Sequence, residues 1–262
     1  MSALVSSISP RRRRAFGLLV ATEIKLAWRR PVGLAVGVGS PLVLLVIFGS
    51  IPTTTRPMAK LGGISFFNLY VPSLLVFVLI VVALMQLPQQ LATYRQQGVL
   101  RRMSTTPVQP TWLLAAQVVV CVIFSVIGLA LLLAVGGVAF GLALPHTLGG
   151  YLVSLASLGL TLASMVGLGL CCAAVARSPQ AAHAITLLMF YPLAFFSGLY
   201  FPIQEIHSGV VTELSKVLPT GAGFNALHAA FTGQSPGAGP LLVLAGWAAG
   251  CSLVAARTFR WE

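Results

Sequence analysis

The feature that most constrains this chain is a series of continuously apolar runs, several of which are long enough to cross a membrane. Six such runs cover about residues 31–48, 69–87, 112–140, 151–175, 181–201 and 241–256. A helix needs roughly 20 apolar residues to cross the hydrocarbon of a bilayer. The runs do not alternate polar and apolar residues, which argues against a transmembrane barrel. The sequence therefore predicts an all-α integral membrane protein with six transmembrane helices.

Composition supports a polytopic membrane protein. Hydrophobic residues make up 57% of the 262 residues and charged residues only 8%, whereas a soluble domain is about one quarter charged. A net charge of +12 would suggest nucleic acid as the partner of a soluble protein. Here the positive residues gather at the ends of apolar runs, so we expect contact with membrane lipids and none with nucleic acid. All four cysteines lie inside apolar runs, which predicts neither disulfides nor a metal site.

The distribution of positive charge predicts the orientation in the membrane. Of the 16 Lys and Arg residues, all but Arg56, Lys60 and Lys216 fall on the side that holds the two tails and the loop after the second run. Positive residues favour the cytoplasmic side. We therefore expect a multi-pass protein of the cell (plasma) membrane with both termini in the cytoplasm.

We interpret residues 1–262 as a single transmembrane domain. Its predicted parts are a tail and interfacial helix (1–31), spans one to five (32–201), outer re-entrant helices (202–238), and the sixth span with the C-tail (239–262). A polar segment at 91–108 separates the second and third spans, where Gly98 interrupts a short helix. The hairpin segment is too polar to span, and its apolar residues recur at helical spacing, so it lies on the outer surface or dips part-way in. In span four, small residues at four-residue spacing form either a close packing face or a chance pattern: Gly159, Ala163 and Gly167.

An amphipathic pattern predicts the interfacial helix. Its apolar face carries Phe16, Val20, Ile24 and Ala27. The helix closes with residues suited to the headgroup zone: Trp28, Arg29 and Arg30. Glu23 lies on the same helix, and it pairs either across to the polar segment 91–108 or within its own helix.

The sequence lacks the residues that two common kinds of energy coupling require. Ion-driven carriers usually place carboxylates in their spans, but this chain has no Asp and none of its four Glu residues falls at mid-span. ATP hydrolysis needs a phosphate-binding Gly-rich loop that ends in Gly-Lys-Ser/Thr, and that tripeptide does not occur. If the protein transports a molecule against its concentration gradient, a separate chain supplies the energy. Segment 91–108 is the best candidate for the surface that contacts that chain.

Two stretches resemble a known family. Arg95-Gln-Gln-Gly-Val-Leu-Arg-Arg-Met-Ser-Thr-Thr-Pro-Val108 is similar to the cytoplasmic coupling segment of type-2 ABC exporter permeases. Phe195-Phe-Ser-Gly-Leu-Tyr-Phe-Pro202 resembles the end of that family's fifth span. The drug and lipid exporters of the daunorubicin-resistance type are the suspected subgroup. The chain departs from the pattern at Gln96 and Gln97, where acidic residues are usual.

The resemblance implies partners and roles. Two permease units, a second copy or a homologue, pair with two ATP-binding subunits, and ATP and Mg²⁺ bind to those partners. This chain itself binds no cofactor and carries no catalytic residue. The implied coupling residues are Arg95, Gln97, Gly98, Leu100, Arg101, Arg102, Thr105, Thr106 and Pro107. Arg101 and Arg102 contact the ATPase or lipid phosphates in this interpretation, and serve only as topogenic charges in the alternative.

The predicted function is therefore export of an amphiphilic drug, lipid or polyketide-like cargo from the cytoplasm or inner leaflet, with efflux of antibiotics as one form. Alternatives are a polysaccharide-exporting permease of the same family, an intramembrane enzyme, or a passive channel. Three hydroxyls either line an exit path or bond to a neighbouring helix: Tyr191, Ser197 and Tyr200. The enzyme alternative is weak because Ser197 and His183 lie about 21 Å apart along one helix, too far for a dyad.

Overall fold

A computed structural model of the chain describes residues 10–29, 35–58, 63–99, 110–200, 209–234 and 237–258. In these residues the regular structure is helical, apart from one antiparallel bridge between Pro57 and Ser65. The helices are α1 (Pro10–Arg29), α2 (Ala35–Ser50), α3 (Pro52–Thr55), α4 (Phe66–Gln96), α5 (Pro110–Phe140), α6 (Leu148–Val175), α7 (Pro179–Phe196), α8 (Gly209–Val217), α9 (Pro219–Phe231) and α10 (Gly239–Thr258).

Four helices within the described residues are long and apolar enough to cross a membrane. They are α4, α5, α6 and α10. α2 is apolar but shorter, and α7 covers most of the predicted fifth span. The all-helical membrane architecture is confirmed, while the count of six spans stays a prediction.

α4 is the central helix. In its most apolar stretch 89% of the residues are buried, compared with 11% in α10. α4 packs against α2, α5, α6, α7 and α9. Its first part is buried because nearly every side chain from Phe67 to Leu84 meets another helix. The outer helices instead leave long apolar faces exposed, as expected for surfaces that meet lipid.

α4 joins two elements that the sequence predicts separately. The predicted second span ends near residue 87, but the helix continues without a break to Gln96. Residues 91–96 are therefore the end of the second span's helix and not a helix of their own. Gly98 follows with a φ of +65°, a conformation that favours glycine. This confirms the predicted interruption at Gly98.

Side-chain caps explain where several helices begin. Ser65 accepts a hydrogen bond from the Asn68 amide at the start of α4. Thr147 does the same for α6, and Ser178 for α7. Ser and Thr at this position satisfy amides that have no partner inside the helix.

α7 ends earlier than the sequence predicts. The predicted fifth span reaches residue 201, whereas the helix ends at Phe196. The Gly198 amide donates to the Phe195 carbonyl, the Leu199 amide donates to the Ala194 carbonyl, and Gly198 has a φ of +77°. These two bonds with a left-handed glycine form a Schellman motif, which stops a helix.

The predicted outer hairpin contains two helices of different character. α8 leaves Val210, Leu214 and Val217 exposed, and Ser215 is its one buried residue. α9 is largely buried against α4, α6, α7 and α10. The turn between them is tight, since a Cβ on Gly221 would collide with the backbone of Ser215. We call the end of the helices beside α8 and α9 the hairpin end, and the end that carries residues 91–99 the coupling end.

The small-residue pattern in α6 is not one packing face. Gly167 lies against α10, where its Cβ would come 2.7 Å from Cys251 Cβ. Gly159 and Ala163 are exposed instead. The face that packs on α9 carries hydroxyls, among them Ser157 and Thr161.

Candidate coupling site

Glu23 joins three helices at the coupling end. Its Oε2 accepts a hydrogen bond from the Tyr94 hydroxyl at 2.6 Å and another from Gln117 Nε2 at 2.6 Å. Tyr94 lies on α4 within the predicted segment 91–108, Gln117 lies on α5, and both are buried. Of the two alternatives for Glu23, the structure shows the contact across to segment 91–108. Hydrogen bonds to a carboxylate are stronger than neutral ones, so this contact fixes α1 against α4 and α5.

Apolar packing supports the same junction. Phe16 of α1 and Trp112 of α5 meet edge to face with ring centroids 6.2 Å apart. Ile24 and Ala27 pack against the main core, and Leu19 and Leu26 pack around Tyr94 and Leu113 in the described residues. Phe16, Ile24 and Ala27 of the predicted apolar face therefore face the other helices, and Leu19 and Leu26 join them.

Arg95 connects the coupling end to α6. Its Nη1 donates to the carbonyls of Ala173 at 3.0 Å and Ala176 at 3.2 Å. These carbonyls belong to the last turn and C-cap of α6, where backbone acceptors lack helical partners and a positive charge is favourable. Arg95 therefore fixes the end of α4 to the end of α6.

A further polar contact links α4 to α7. Gln89 Nε2 and His183 Nδ1 are 2.9 Å apart. With the bonds of Tyr94 and Arg95, this gives the coupling-end part of α4 polar contacts to α1, α6 and α7. Gln117 Nε2 of α5 also donates to the Tyr94 hydroxyl at 3.5 Å. A displacement of this part of α4 would therefore act on these four helices.

The middle of α4 is a π-helix at Ile80–Gln86, and it faces a second π-helix at Ala35–Gly39 in α2. Gly37 lies at this contact, where a Cβ would require the flexible Gln86 side chain to move. Short π-helical segments inside α-helices are frequent at functional sites.

A cavity of about 260 Å³ lies between α1, α4 and α5. Glu23 lines the cavity. The other polar lining residues are Gln86, Gln89, Gln90, Thr93 and Gln117. Apolar walls include Val82, Val120 and Phe124. The polar residues apart from Gln117 are partly exposed, so the cavity is a pocket with a polar rim over an apolar base.

Six of the predicted coupling residues lie outside the described residues: Leu100, Arg101, Arg102, Thr105, Thr106 and Pro107. So does Arg30 of the predicted interfacial helix. Their roles stay predictions. Of the remainder, Gln96 and Gln97 are exposed just before the turn at Gly98. Trp28 is 67% exposed, which suits the predicted headgroup position, and Arg29 is exposed beside it.

The three hydroxyls predicted along a cargo path do not form one group. Ser197 is fully buried, and its hydroxyl donates to the Ala194 carbonyl of its own helix at 2.7 Å. Tyr191 and Tyr200 are exposed on the surface of α7 and just after it. A path role therefore rests on these two tyrosines and not on Ser197.

Sequence reasoning missed Tyr94 and Gln117, the two partners of Glu23. Gln117 carried a usable signal, since a polar side chain inside an apolar span usually faces other helices. Tyr94 carried none, because a tyrosine near the end of a span is common at membrane interfaces. In the described residues no group of three or more His, Cys, Asp or Glu side chains is placed to hold a metal ion.

The model of one protein family matches residues 14–232, and its description is "ABC-2 type transporter". The match covers most of the chain, including most of α1, the whole of α4, and both α8 and α9. A comparison with curated proteins gave no match.

Proposed function

The chain belongs to the ABC-2 type transporter family, and we propose that it is the membrane-spanning subunit of an ATP-driven exporter. Members of this family are transport permeases of the membrane. The proposal adds the direction, the source of energy and the route by which that energy arrives. The energy comes from two ATP-binding subunits that contact segment 91–108 of two permease units, which are copies of this chain or a copy with a homologue.

The observation that carries the proposal is the set of bonds around the start of segment 91–108. Tyr94 is bonded to Glu23, and Arg95 to the end of α6. An ATP-binding subunit that pushes on segment 91–108 would therefore move α1, α5 and α6 together. A loop that served only to join two spans would need no such bonds to three other helices.

The predicted topology agrees with this role. Six spans with both termini in the cytoplasm place segment 91–108 on the side where ATP is available. α8 and α9 then lie at the outer side. The amphiphilic nature of the cargo follows from the small number of fixed charges in the spans, since a strongly charged cargo would lack partners.

The first test is purification of the chain in mild detergent together with its bound partners. The proposal predicts a co-purifying soluble chain that carries a Gly-x-x-x-x-Gly-Lys-Ser/Thr motif, with ATP hydrolysis in the complex and none in the permease alone. Transport by the permease in sealed vesicles with no ATP-binding chain would contradict the proposal and favour a channel.

The second test addresses Arg101 and Arg102, which lie outside the described residues. Changing both to Glu is expected to leave insertion intact and to separate ATP hydrolysis from export. The matched control is Arg177→Glu with Arg257→Glu, which reverses two exposed charges on the same predicted side. If both double variants behave alike, the arginines act only as topogenic charges.

The alternative of an intramembrane enzyme gains no support from the described residues. Ser197 is bonded to its own helix, and His183 is bonded to Gln89 at the other end of α7. No nucleophile and base come together there.

A further inference from the structure

We propose that the cavity between α1, α4 and α5 binds the cationic head of an amphiphilic molecule. Glu23 is the acceptor of the positive charge, and the apolar base takes the adjoining carbon skeleton. The identification of such a molecule as cargo rests on the exporter proposed above. The proposal that the molecule binds in the cavity does not rest on it.

The cavity lining has one negative charge, Glu23, and no Lys or Arg among the described residues. Both hydrogen bonds to Glu23 end on Oε2 and come from neutral groups, and no described residue donates to Oε1. The one ion pair in the part of the chain that the structure describes joins Lys216 to Glu213, at the hairpin end. The partly buried carboxylate of Glu23 therefore has no cation among the described residues. In a region of reduced dielectric constant such a carboxylate attracts a positive charge more strongly than it would in water.

The polar and apolar lining residues lie toward opposite ends of the cavity. On α4, Thr93 lies at the coupling end of the cavity and Val82 lies about 16 Å deeper, at 1.5 Å per residue. On α5, Gln117 lies near Glu23 and Phe124 lies about 10 Å deeper. The cavity is thus polar at one end and apolar at the other along the direction of the spans. An amphiphile in the nearby leaflet has the same polarity, with its charged head toward the coupling end.

The cavity is too small to enclose a whole drug-sized molecule. The cavity volume is about 260 Å³. Pockets that enclose a drug-sized ligand usually have about 300–1,000 Å³. The cavity therefore holds an ammonium head and one ring or short chain, while the rest of the molecule extends toward the lipid. A phosphate or sulfate head is excluded, because it would face the carboxylate of Glu23.

The lining disfavours an inorganic divalent cation as the natural occupant. Ca²⁺ and Mg²⁺ are held by six or more oxygens, usually with several carboxylates. Glu23 is the single carboxylate in the cavity lining. Amide oxygens and one carboxylate instead match an organic ammonium group, which needs acceptors for a few N–H bonds and an apolar surface beside them.

A pair of probes that differ only in charge tests the proposal. One is the dansyl amide of a short diamine, which keeps a primary ammonium, and the other is its N-acetylated twin, which is neutral. The full chain is placed in lipid nanodiscs, and dansyl fluorescence is titrated against empty nanodiscs to subtract partitioning into lipid. We expect the ammonium probe to bind about tenfold more tightly than its neutral twin, a difference of about 1.4 kcal/mol.

Two variants separate the effect of Glu23 from general charge. Glu23→Gln keeps an acceptor for Tyr94 but removes the charge, and it should abolish the preference for the ammonium probe. Glu213→Gln removes the same charge from the exposed helix α8 and should leave the preference unchanged. Equal affinity for the two probes in the unaltered chain, or a preference that survives Glu23→Gln, would overturn the proposal.

A third variant keeps the test decisive if Glu23→Gln weakens the junction of α1. Gln90→Trp fills the partly exposed rim of the cavity and leaves Glu23 and its two bonds in place. It should weaken binding of both probes, with the protein eluting normally in gel filtration. Unchanged binding of the ammonium probe would place that probe elsewhere and overturn the proposal. The nanodiscs contain no ATP-binding partner, so these binding outcomes neither support nor contradict the export proposal, which is tested separately.

Discussion

The coupling end and the hairpin end hold their helices together in different ways. At the coupling end, Glu23 and Arg95 each make two hydrogen bonds to other helices. At the hairpin end, α9 packs on α6 through glycines and buried hydroxyls. Four of those hydroxyls have no hydrogen-bond partner among the described residues: Ser154, Ser157, Thr161 and Thr220.

This difference teaches which contacts are fixed in direction and which only by shape. Hydrogen bonds weaken steeply when their angle or length changes, so the coupling end has one favoured arrangement. The hairpin end has directed bonds as well, from the Tyr70 hydroxyl to the Leu199 carbonyl and from Trp247 Nε1 to the Val217 carbonyl. Packing of small residues has no such directional term, so the contact between α6 and α9 tolerates small shifts as long as its surfaces fit. A rigid end that receives a push and a contact that gives way suit a protein that passes motion along its helices.

The largest expected effect tests the dependence of the hairpin end on shape. Gly221→Ala puts a Cβ into the backbone of Ser215, and because backbone cannot move aside, we expect a loss of about 3 kcal/mol or more. Gly209→Ala in the same hairpin meets nothing within 4 Å and serves as the control. Thermal unfolding in detergent measures both. Similar melting temperatures for the two variants would mean that the tight turn does not hold the hairpin.

The second prediction concerns the bonds of Arg95. Arg95→Gln removes a charged donor from the carbonyls of Ala173 and Ala176, which should cost about 1.5–3 kcal/mol. Arg177→Gln changes an exposed arginine just beyond the same helix end and should change stability by less than about 0.5 kcal/mol. Chemical denaturation of the two variants gives the comparison. If Arg177→Gln costs as much, general charge and not the bonds of Arg95 stabilises the end of α6.

The smallest expected effect comes from a matched pair of threonines. Both are fully buried, but Thr186 donates to the Ala182 carbonyl at 2.9 Å, whereas Thr161 has no partner among the described residues. Thr186→Val should cost about 0.5–1.5 kcal/mol, and Thr161→Val should be neutral or stabilising. The difference in free energy of unfolding checks this. A loss at Thr161 as large as that at Thr186 would mean that its hydroxyl is bonded after all, and the contrast between the two ends would fail there.

Much of the fold was predictable because lipid imposes strong rules on sequence. Four long apolar helices, the inward packing of Phe16, Ile24 and Ala27 on α1 and the interruption at Gly98 follow from local patterns, and the structure confirms them. The early end of α7 was also readable, since Gly198 after a helical run is a common stop signal. The π-helices in α2 and α4 were not, because nothing in their residues distinguishes them from ordinary apolar helix.

The candidate site was only partly predictable. Glu23 stood out because it is one of four carboxylates in the chain, but its partners depend on which faces of three helices meet. That choice is made by tertiary packing and leaves no periodic trace in the sequence. The cavity beside Glu23 has the same origin, since its walls come from residues separated by up to about 100 positions along the chain.

The central claim is that the bond between Tyr94 and Glu23 passes the motion of the ATP-binding subunits to the spans. The most direct test is the ATP hydrolysis rate of the purified complex in lipid vesicles, with Tyr94→Phe compared with Tyr70→Phe. Each change removes one phenol hydroxyl. Tyr94→Phe loses the hydrogen bond to Glu23 at the coupling end, and Tyr70→Phe loses the hydrogen bond to the Leu199 carbonyl at the hairpin end.

We expect Tyr94→Phe to reduce the permease-dependent part of ATP hydrolysis roughly tenfold, as for the loss of a hydrogen bond to a charged group. Tyr70→Phe should leave it near the unaltered value. Equal rates in the two variants, or full activity in Tyr94→Phe, would contradict the claim.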